Sequence, residues 1–307
     1  MTRFIIIRII QAFFALIGII TLVFFLVRLS GNPAELLKNP NMTPEAYDQL
    51  MEKLGLNKSY WEQYKIYMTN LAQGDLGDSL LKFKRVSQMI GESLPNTLKY
   101  SVPSFLIGLL LSMALGVLAA TRRDGLLDNG VKFLAILGQA LPGFWVAIMA
   151  MLVFSVYLEW LPPAGMKFPE NYILPVGTMV FMMLPGMMRL VRSTMLDVLD
   201  SEYIKLARIK GLPERTVIWK HALRNALISP LTVAGMMIAG LIGGAVVTEQ
   251  IFNWPGMGRM ILESTVARDF TVVQSITILI AIMVLGMNLL VDVAYAWVDP
   301  QIRYQRA

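Results

Sequence analysis

The chain has 307 residues, 56% of them hydrophobic and 16% charged, with a formal charge of +6 and a mean hydropathy of +0.58. That balance excludes a soluble domain of this length, because so much apolar surface must face something other than water. The lack of cysteine excludes disulfides and thiolate metal sites, and the single His221 excludes a histidine cage. Positive charge gathered at the ends of apolar segments is placed for membrane topology rather than for nucleic acid.

A bilayer core about 30 Å thick is crossed by roughly 20 apolar helical residues. Segments 9–27, 100–121, 133–158, 172–188, 225–248 and 270–291 meet that need without a Lys, Arg, Asp or Glu, the fourth being the shortest. The fold class expected is an all-α membrane protein with six transmembrane helices. The opening MTRFIIIRII places Arg3 and Arg8 before an apolar run, as a signal peptide does. That run is as long as a span and no small-x-small pattern follows Arg28, so it reads as an uncleaved first helix with its amino terminus inside. By alternation the turn bearing Arg122, Arg123 and Lys132, the basic insert, and the tail bearing Arg303 and Arg306 fall on that same inner side.

The chain then divides into a first helix at 1–29, an outer region at 30–99 and a five-helix part at 100–307 with an inner loop at 189–230. In the outer region, Thr43 followed by Pro44 and Glu45 is a helix start, so short helices are expected there. Trp160, Trp254, Tyr295, Trp297 and Tyr304 stand near span ends, where amphipathic rings sit at the headgroup level. The sequons at Asn41 and Asn57 are too short a pattern to argue glycosylation.

Pro142 in LPGFW and Pro185 in MMLPGMM each remove a backbone donor inside a span. A kink lining a cavity and ordinary membrane-helix irregularity both account for them, and Phe144 and Met187 beside them are the expected path-lining residues. The glycines Gly240, Gly243 and Gly244 read as close helix packing. GxxxxGK[ST], HExxH and GxSxG patterns are all missing, leaving no ATP site, metal or nucleophile in this chain: no enzyme is expected. Asp292 lies near the inner end of the last segment, where packing explains it more simply than a proton relay.

The stretch 202–231 carries six Lys or Arg against two Glu. SEYIKLARIK is one helix stopped by Gly211, and Pro213 opens a second with Glu214 in its first turn. On that second helix Ile218, Trp219, Ala222, Leu223, Ala226 and Leu227 share one half, against Lys220, His221, Arg224 and Asn225. A helix lying on anionic lipid and a protein-docking element both fit this pattern.

The sequence resembles the permease subunits of bacterial peptide and nickel ABC importers, the dipeptide and oligopeptide permease family, along nearly its whole length. The resemblance is carried by QGDLGDSLLKFKRVSQMIGESLPNTLKY, LPGFWVAIMAMLVFSVYLEWLPPAG, the opening stretch, and TEQIFNWPGMGRMILESTVARDFTVVQ followed by NLLVDVAYAWVDPQIRY. In the broader importer group the inner insert is the EAA loop, whose first helix docks into the ATPase subunit. Ala207 and Gly211 match its second Ala and its Gly, while Lys205 and Leu206 replace its Glu and first Ala, and Leu223-Arg224 replaces Leu-Pro.

The resemblance implies a type I importer permease fold with both termini cytoplasmic, multi-pass in the bacterial plasma (inner) membrane. It implies as partners a second homologous permease in a heterodimer, two ATP-binding subunits holding ATP and Mg, and an extracytoplasmic solute-binding protein; this chain itself takes no cofactor. Within the loop, Tyr203, Leu206 and Ala207 are expected in the ATPase groove, with Glu202, Lys205 and Arg208 at its rim and Gly211 as the hinge. At the outer face, Asn253, Trp254, Pro255 and Gly256, with the turn 75–79, are expected to contact a partner. Peptides are the first substrate choice, beside nickel or metal chelates, glutathione and sugars. The alternative class is an ion-gradient-driven secondary transporter or channel.

Overall fold

The structure, a computed structural model, describes residues 2–32, 34, 37–38 and 42–298, with the side chains of 2–4, 239–244, 292 and 294–298 outside that description. Arg3, Asn41, Gly240, Gly243, Gly244, Asp292, Tyr295, Trp297, Arg303, Tyr304 and Arg306 therefore lie, wholly or in their side chains, outside the described residues. The described chain is helical, with one isolated β-bridge between Asp78 and Arg85. In order come α1 (Thr2–Leu29), α2 (Pro44–Lys53), α3 (Tyr60–Ala72), α4 (Val86–Thr121), α5 (Leu126–Ala140) and α6 (Gly143–Met151), which ends in a π-helical turn at Leu152–Tyr157. After α7 (Ile173–Leu199) come α8 (Glu202–Ile209), α9 (Glu214–Thr216), a π-helical turn at Val217–Ala222 and α10 (Leu223–Ala226). Last are α11 (Ile228–Ile251), α12 (Met257–Val266) and α13 (Phe270–Val298).

Among the described residues, Ile5–Leu29, Val86–Thr121, Pro169–Leu199 and Phe270–Val291 are long and apolar enough to cross a bilayer. The pair Leu126–Ala140 and Gly143–Tyr157, bent by 100°, is a broken fifth. Of the two readings of Pro142 within 133–158, the structure shows the break. Leu141 adopts an extended conformation (ψ 125°) because Pro142 crowds the residue before it, so α5 ends at Ala140 and Pro142 becomes the N-cap of α6. Pro185 behaves differently: α7 runs through it for 27 residues, held between α4 and α5. A Cβ on Gly138 of α5 would lie 2.3 Å from the Pro185 ring, so only glycine admits that close packing.

Two boundaries also move. α4 starts at Val86, and at about 1.5 Å per residue its 36 residues outreach a bilayer, so its first turns stand outside as a stem. α7 continues as one helix to Leu199, past the start of the expected loop at 189. In the outer region α2 starts where the sequence places it, with Thr43 accepting a hydrogen bond from the Ala46 amide.

Two buried clusters organise the core. The inner one joins Val117 and Ala120 of α4, Met187, Val191 and Met195 of α7, Ile204 and Ala207 of α8, Val217 and Ala222 of the π turn, and Ala234 of α11. The outer one joins Val86, Met89 and Ile90 with Met257, Met260, Val272 and Ile276. An ion cluster pins α5 to α7: the fully buried Asp128 pairs with Arg192 and, at 2.8 Å, with Lys132. Asp128 also accepts from the Asp124 amide at 2.9 Å, so its charge is paired and hydrogen-bonded as burial demands.

Candidate functional site

The inner insert is built as two short helical pieces around one left-handed residue. Ser201 enters α8 in an extended conformation, Glu202 lies in the first turn and Arg208 in the last, each charge suited to the helix dipole. Gly211 has φ +77°, and the Leu212 and Gly211 amides return to the carbonyls of Ala207 and Arg208. That reversal lets the chain leave α8 and enter α9 after Pro213, where an L side chain would be strained. The Arg208 guanidinium then bridges the turn in a fork to Glu214, at 2.8 and 3.2 Å. Across the insert, Asn225 donates to the Tyr203 hydroxyl at 2.8 Å, and Lys205 pairs with Glu202 at 2.7 Å.

Burial divides α8 in two. Ile204 is 0% exposed and Ala207 9%, both seated in the inner core cluster. Tyr203, Leu206 and Ile209, at spacing i, i+3, i+6, form an exposed apolar stripe, and Ile209 is 79% exposed. Glu202, Lys205, Arg208 and Gly211 are exposed beside it. Ala207, expected to enter a groove, is buried and packs α8 onto the cluster behind it, while Ile209, three residues after Leu206, extends the exposed stripe. Trp219, on the apolar half of the second helix, stands 49% exposed. The π turn spaces the buried residues as Val217, Ala222 and Ala226, so Trp219 falls outside the buried row.

The Glu214 carboxyl is held below its ordinary value of 4.5 by the hydrogen bond from Arg208, against a smaller opposing effect of burial. A lowered folded value contributes stability above 4.5, and that contribution is lost as pH falls through the lowered value. The pair is half-exposed, so Arg208→Gln is expected to cost below about 1 kcal/mol at neutral pH, and nothing in acid or high salt. Thermal melts at several pH values check this.

At the opposite end of α11, Glu249 is fully buried. It accepts from Thr97 at 2.6 Å, Tyr100 at 3.3 Å and the Arg259 amide at 2.9 Å, tying α4, α11 and the start of α12 into one clamp. The Met257 amide completes it by donating to Thr97 at 2.8 Å. A Cβ on Gly256 would lie 2.1 Å from the Glu249 carboxylate, so this turn closes only over glycine.

Trp254, expected at the outer face, is 0% exposed; it packs edge-on against Tyr100 and Tyr172 and donates to the Asn96 carbonyl. Gly256 is buried as well, which leaves Asn253 and Pro255 as the exposed pair of the four. Pro255 borders a cavity of about 540 Å³ lined by Lys82, Lys84, Glu92, Arg259 and Glu263. The turn 75–79 is structural: Asp75 accepts from the Gly77 amide, Ser79 donates to the buried Asp269, and Ser275 donates to the Leu76 carbonyl. Of the two expected path-lining residues, Phe144 is 54% exposed, whereas Met187 is 1% exposed and packed in the inner cluster. The sequence carried no sign of the Asp128 cluster or of the partners of Glu249, since both depend on residues far apart in the chain.

Residues 112–304 match the family described as binding-protein-dependent transport system inner membrane component, and residues 1–101 the N-terminal region of such membrane components. The oligopeptide transport system permease protein AppB of Bacillus subtilis is 38% identical, over 99% of this chain and 100% of its own. The dipeptide transport system permease protein DppB of Alkalihalophilus pseudofirmus is 36% identical, over 94% and 96%. The glutathione transport system permease protein GsiC of Salmonella typhi is 37% identical, over 94% and 95%. A crystal structure of an amino acid ABC transporter superposes with a TM-score of 0.51 at 16% identity, covering 70% of this chain and 94% of the other, a likeness of fold.

Proposed function

This chain belongs to the family of binding-protein-dependent transport system inner membrane components, and on that premise we propose that it forms half the translocation path of an ATP-driven peptide importer. Its relatives are named for oligopeptide, dipeptide and glutathione transport, which makes peptides the expected cargo. Its expected partners are a second homologous permease, two ATP-binding subunits that hold ATP and Mg, and an extracytoplasmic solute-binding protein. On this reading α11 is the sixth crossing beside the four long apolar helices and the bent α5–α6 pair, and, as the family implies, both termini are cytoplasmic in a bacterial inner membrane.

The observation that carries the coupling role is the two-sidedness of α8. Its exposed stripe of Tyr203, Leu206 and Ile209 is free for a partner, while Ile204 and Ala207 sit in the same buried cluster as the middle of α4 and α7. Interiors are packed tightly enough to pass a displacement on rather than absorb it. An ATPase that contacts α8 differently in its two states would thereby shift the balance between inward and outward access, and one that contacted both equally would shift nothing. This chain performs no covalent step.

The test is uptake of a labelled oligopeptide by proteoliposomes holding the assembled importer. Uptake is expected only with ATP and the binding protein, and none with this chain alone under an imposed ion gradient. Gradient-driven uptake by the single chain would replace the importer reading with a secondary transporter.

A further inference from the structure

The cavity bordered by Pro255 lies between the first turns of α4 and α12, with the loop before α4 along one side. Part of its lining is buried and apolar: Met89 is 4% exposed and Met260 6%, and Ser93 donates to the Met260 sulfur at 3.6 Å. The rest is charged, and the charges do not balance. On the α4 side Lys84 faces Glu92 one to one, whereas on the α12 side Lys82 and Arg259 share the single carboxylate of Glu263. Three cations against two carboxylates leave one positive charge in excess, and it falls on the α12 side. Both lysine pairs are slack, at 3.7 Å for Lys82 and 3.8 Å for Lys84, beyond hydrogen-bond length. Each ammonium therefore keeps donors for a further acceptor. The walls are fixed by the protein itself: the Ser79 amide donates to the Lys84 carbonyl and the Lys82 amide to the Ser79 hydroxyl, both at 2.9 Å, and Asn96 donates to the Pro255 carbonyl at 3.0 Å. A ligand entering there has little loop ordering to offset.

At about 540 Å³ the cavity has the size of a small-molecule site. A simple anion would answer the spare cation but would use neither Glu92 nor the methionines. A short peptide uses all three, because it carries a carboxylate, an ammonium and side chains whose varied shapes flexible thioethers accommodate. We propose that this cavity binds a short peptide with free termini, its carboxylate on Lys82 and Arg259, its ammonium on Glu92, and a side chain against Met89 and Met260. The site rests on the peptide-importer reading, in which the first turns of α4 stand outside the bilayer on the side from which cargo arrives.

Equilibrium dialysis of the full chain in a non-ionic detergent against radiolabelled alanyl-phenylalanine tests this. Saturable binding is expected, with the carboxy-terminal amide of the dipeptide and its N-acetyl form each weaker by about tenfold. Lys82→Gln is expected to weaken the free dipeptide about tenfold and the amide not at all. Glu92→Gln is expected to weaken the free dipeptide similarly and the N-acetyl form not at all. Both side chains are half-exposed, so the variants fold, which a melt like the parent's checks. An absence of saturable binding, or binding unchanged in both variants, overturns the site while leaving peptide uptake by the assembled importer as its own question. Equally strong binding of acetate overturns the peptide assignment in favour of a simple anion. Unchanged dipeptide binding with lost capture of the solute-binding protein overturns it in favour of a docking surface. Dipeptide binding that follows the expected pattern, without peptide uptake by the importer, upholds the site and overturns the cargo reading instead.

Discussion

Replacing Gly211 with valine is expected to abolish most ATP-dependent uptake while leaving the chain inserted in the membrane. Nothing lies within 4 Å of where a Cβ would stand, so the penalty is conformational rather than steric crowding. At φ +77° a β-branched residue is strained by about 1–3 kcal/mol. The cheapest relief is to unwind the last turn of α8 or rotate it on its anchors Ile204 and Ala207. Either movement displaces Tyr203, Leu206 and Ile209 from a partner's groove. On the proposed coupling role, uptake by the reconstituted importer falls at least about tenfold, because a strain of that size outweighs a contact of similar worth. ATP hydrolysis persists, and Gly211→Asn, which tolerates the left-handed region, retains most transport. Full uptake by the valine variant would remove the insert from the coupling path.

Glu249→Ala is expected to give the largest loss of stability of any single change at the outer end. It leaves Thr97, Tyr100 and the Arg259 amide buried around a hole. Buried donors without acceptors cost about 1–3 kcal/mol each, so a total of about 3 kcal/mol or more follows before the cavity is counted. Glu249→Gln keeps one acceptor oxygen for Thr97 and Tyr100 but turns a donor toward the Arg259 amide, and an intermediate loss is expected. Because Trp254 packs against Tyr100, tryptophan fluorescence during thermal unfolding reports on this clamp directly. An alanine variant that melts like the parent would show that the clamp contributes nothing, despite its burial.

These two sites were legible in the sequence to different degrees. The hinge was plain, because Gly before Leu-Pro between two amphipathic runs is a local signal whose meaning does not depend on the rest of the chain. Glu249 was visible only as part of a turn at the end of an apolar segment. Its role comes from Thr97, 152 positions away, and no periodicity carries that information.

The same division runs through the whole molecule. Composition, segment length and local residue signals by themselves determined a helical membrane protein, its first and last long apolar helices, the helix start at Thr43, and the two-helix insert with its left-handed break. Those features follow from the thickness of a bilayer and from the backbone preferences of single residues. Only the tertiary structure decided that Pro142 bends its helix through 100° while Pro185 does not, that Trp254 and Met187 are interior, and that Ala207 anchors what Ile209 presents. Each of these turns on which helix lies alongside. α4 and α5 support α7 across its proline, and a π turn reassigns which face of the insert is buried. Side chains brought together from distant positions settle such questions, and a helical period read along one segment has no access to them.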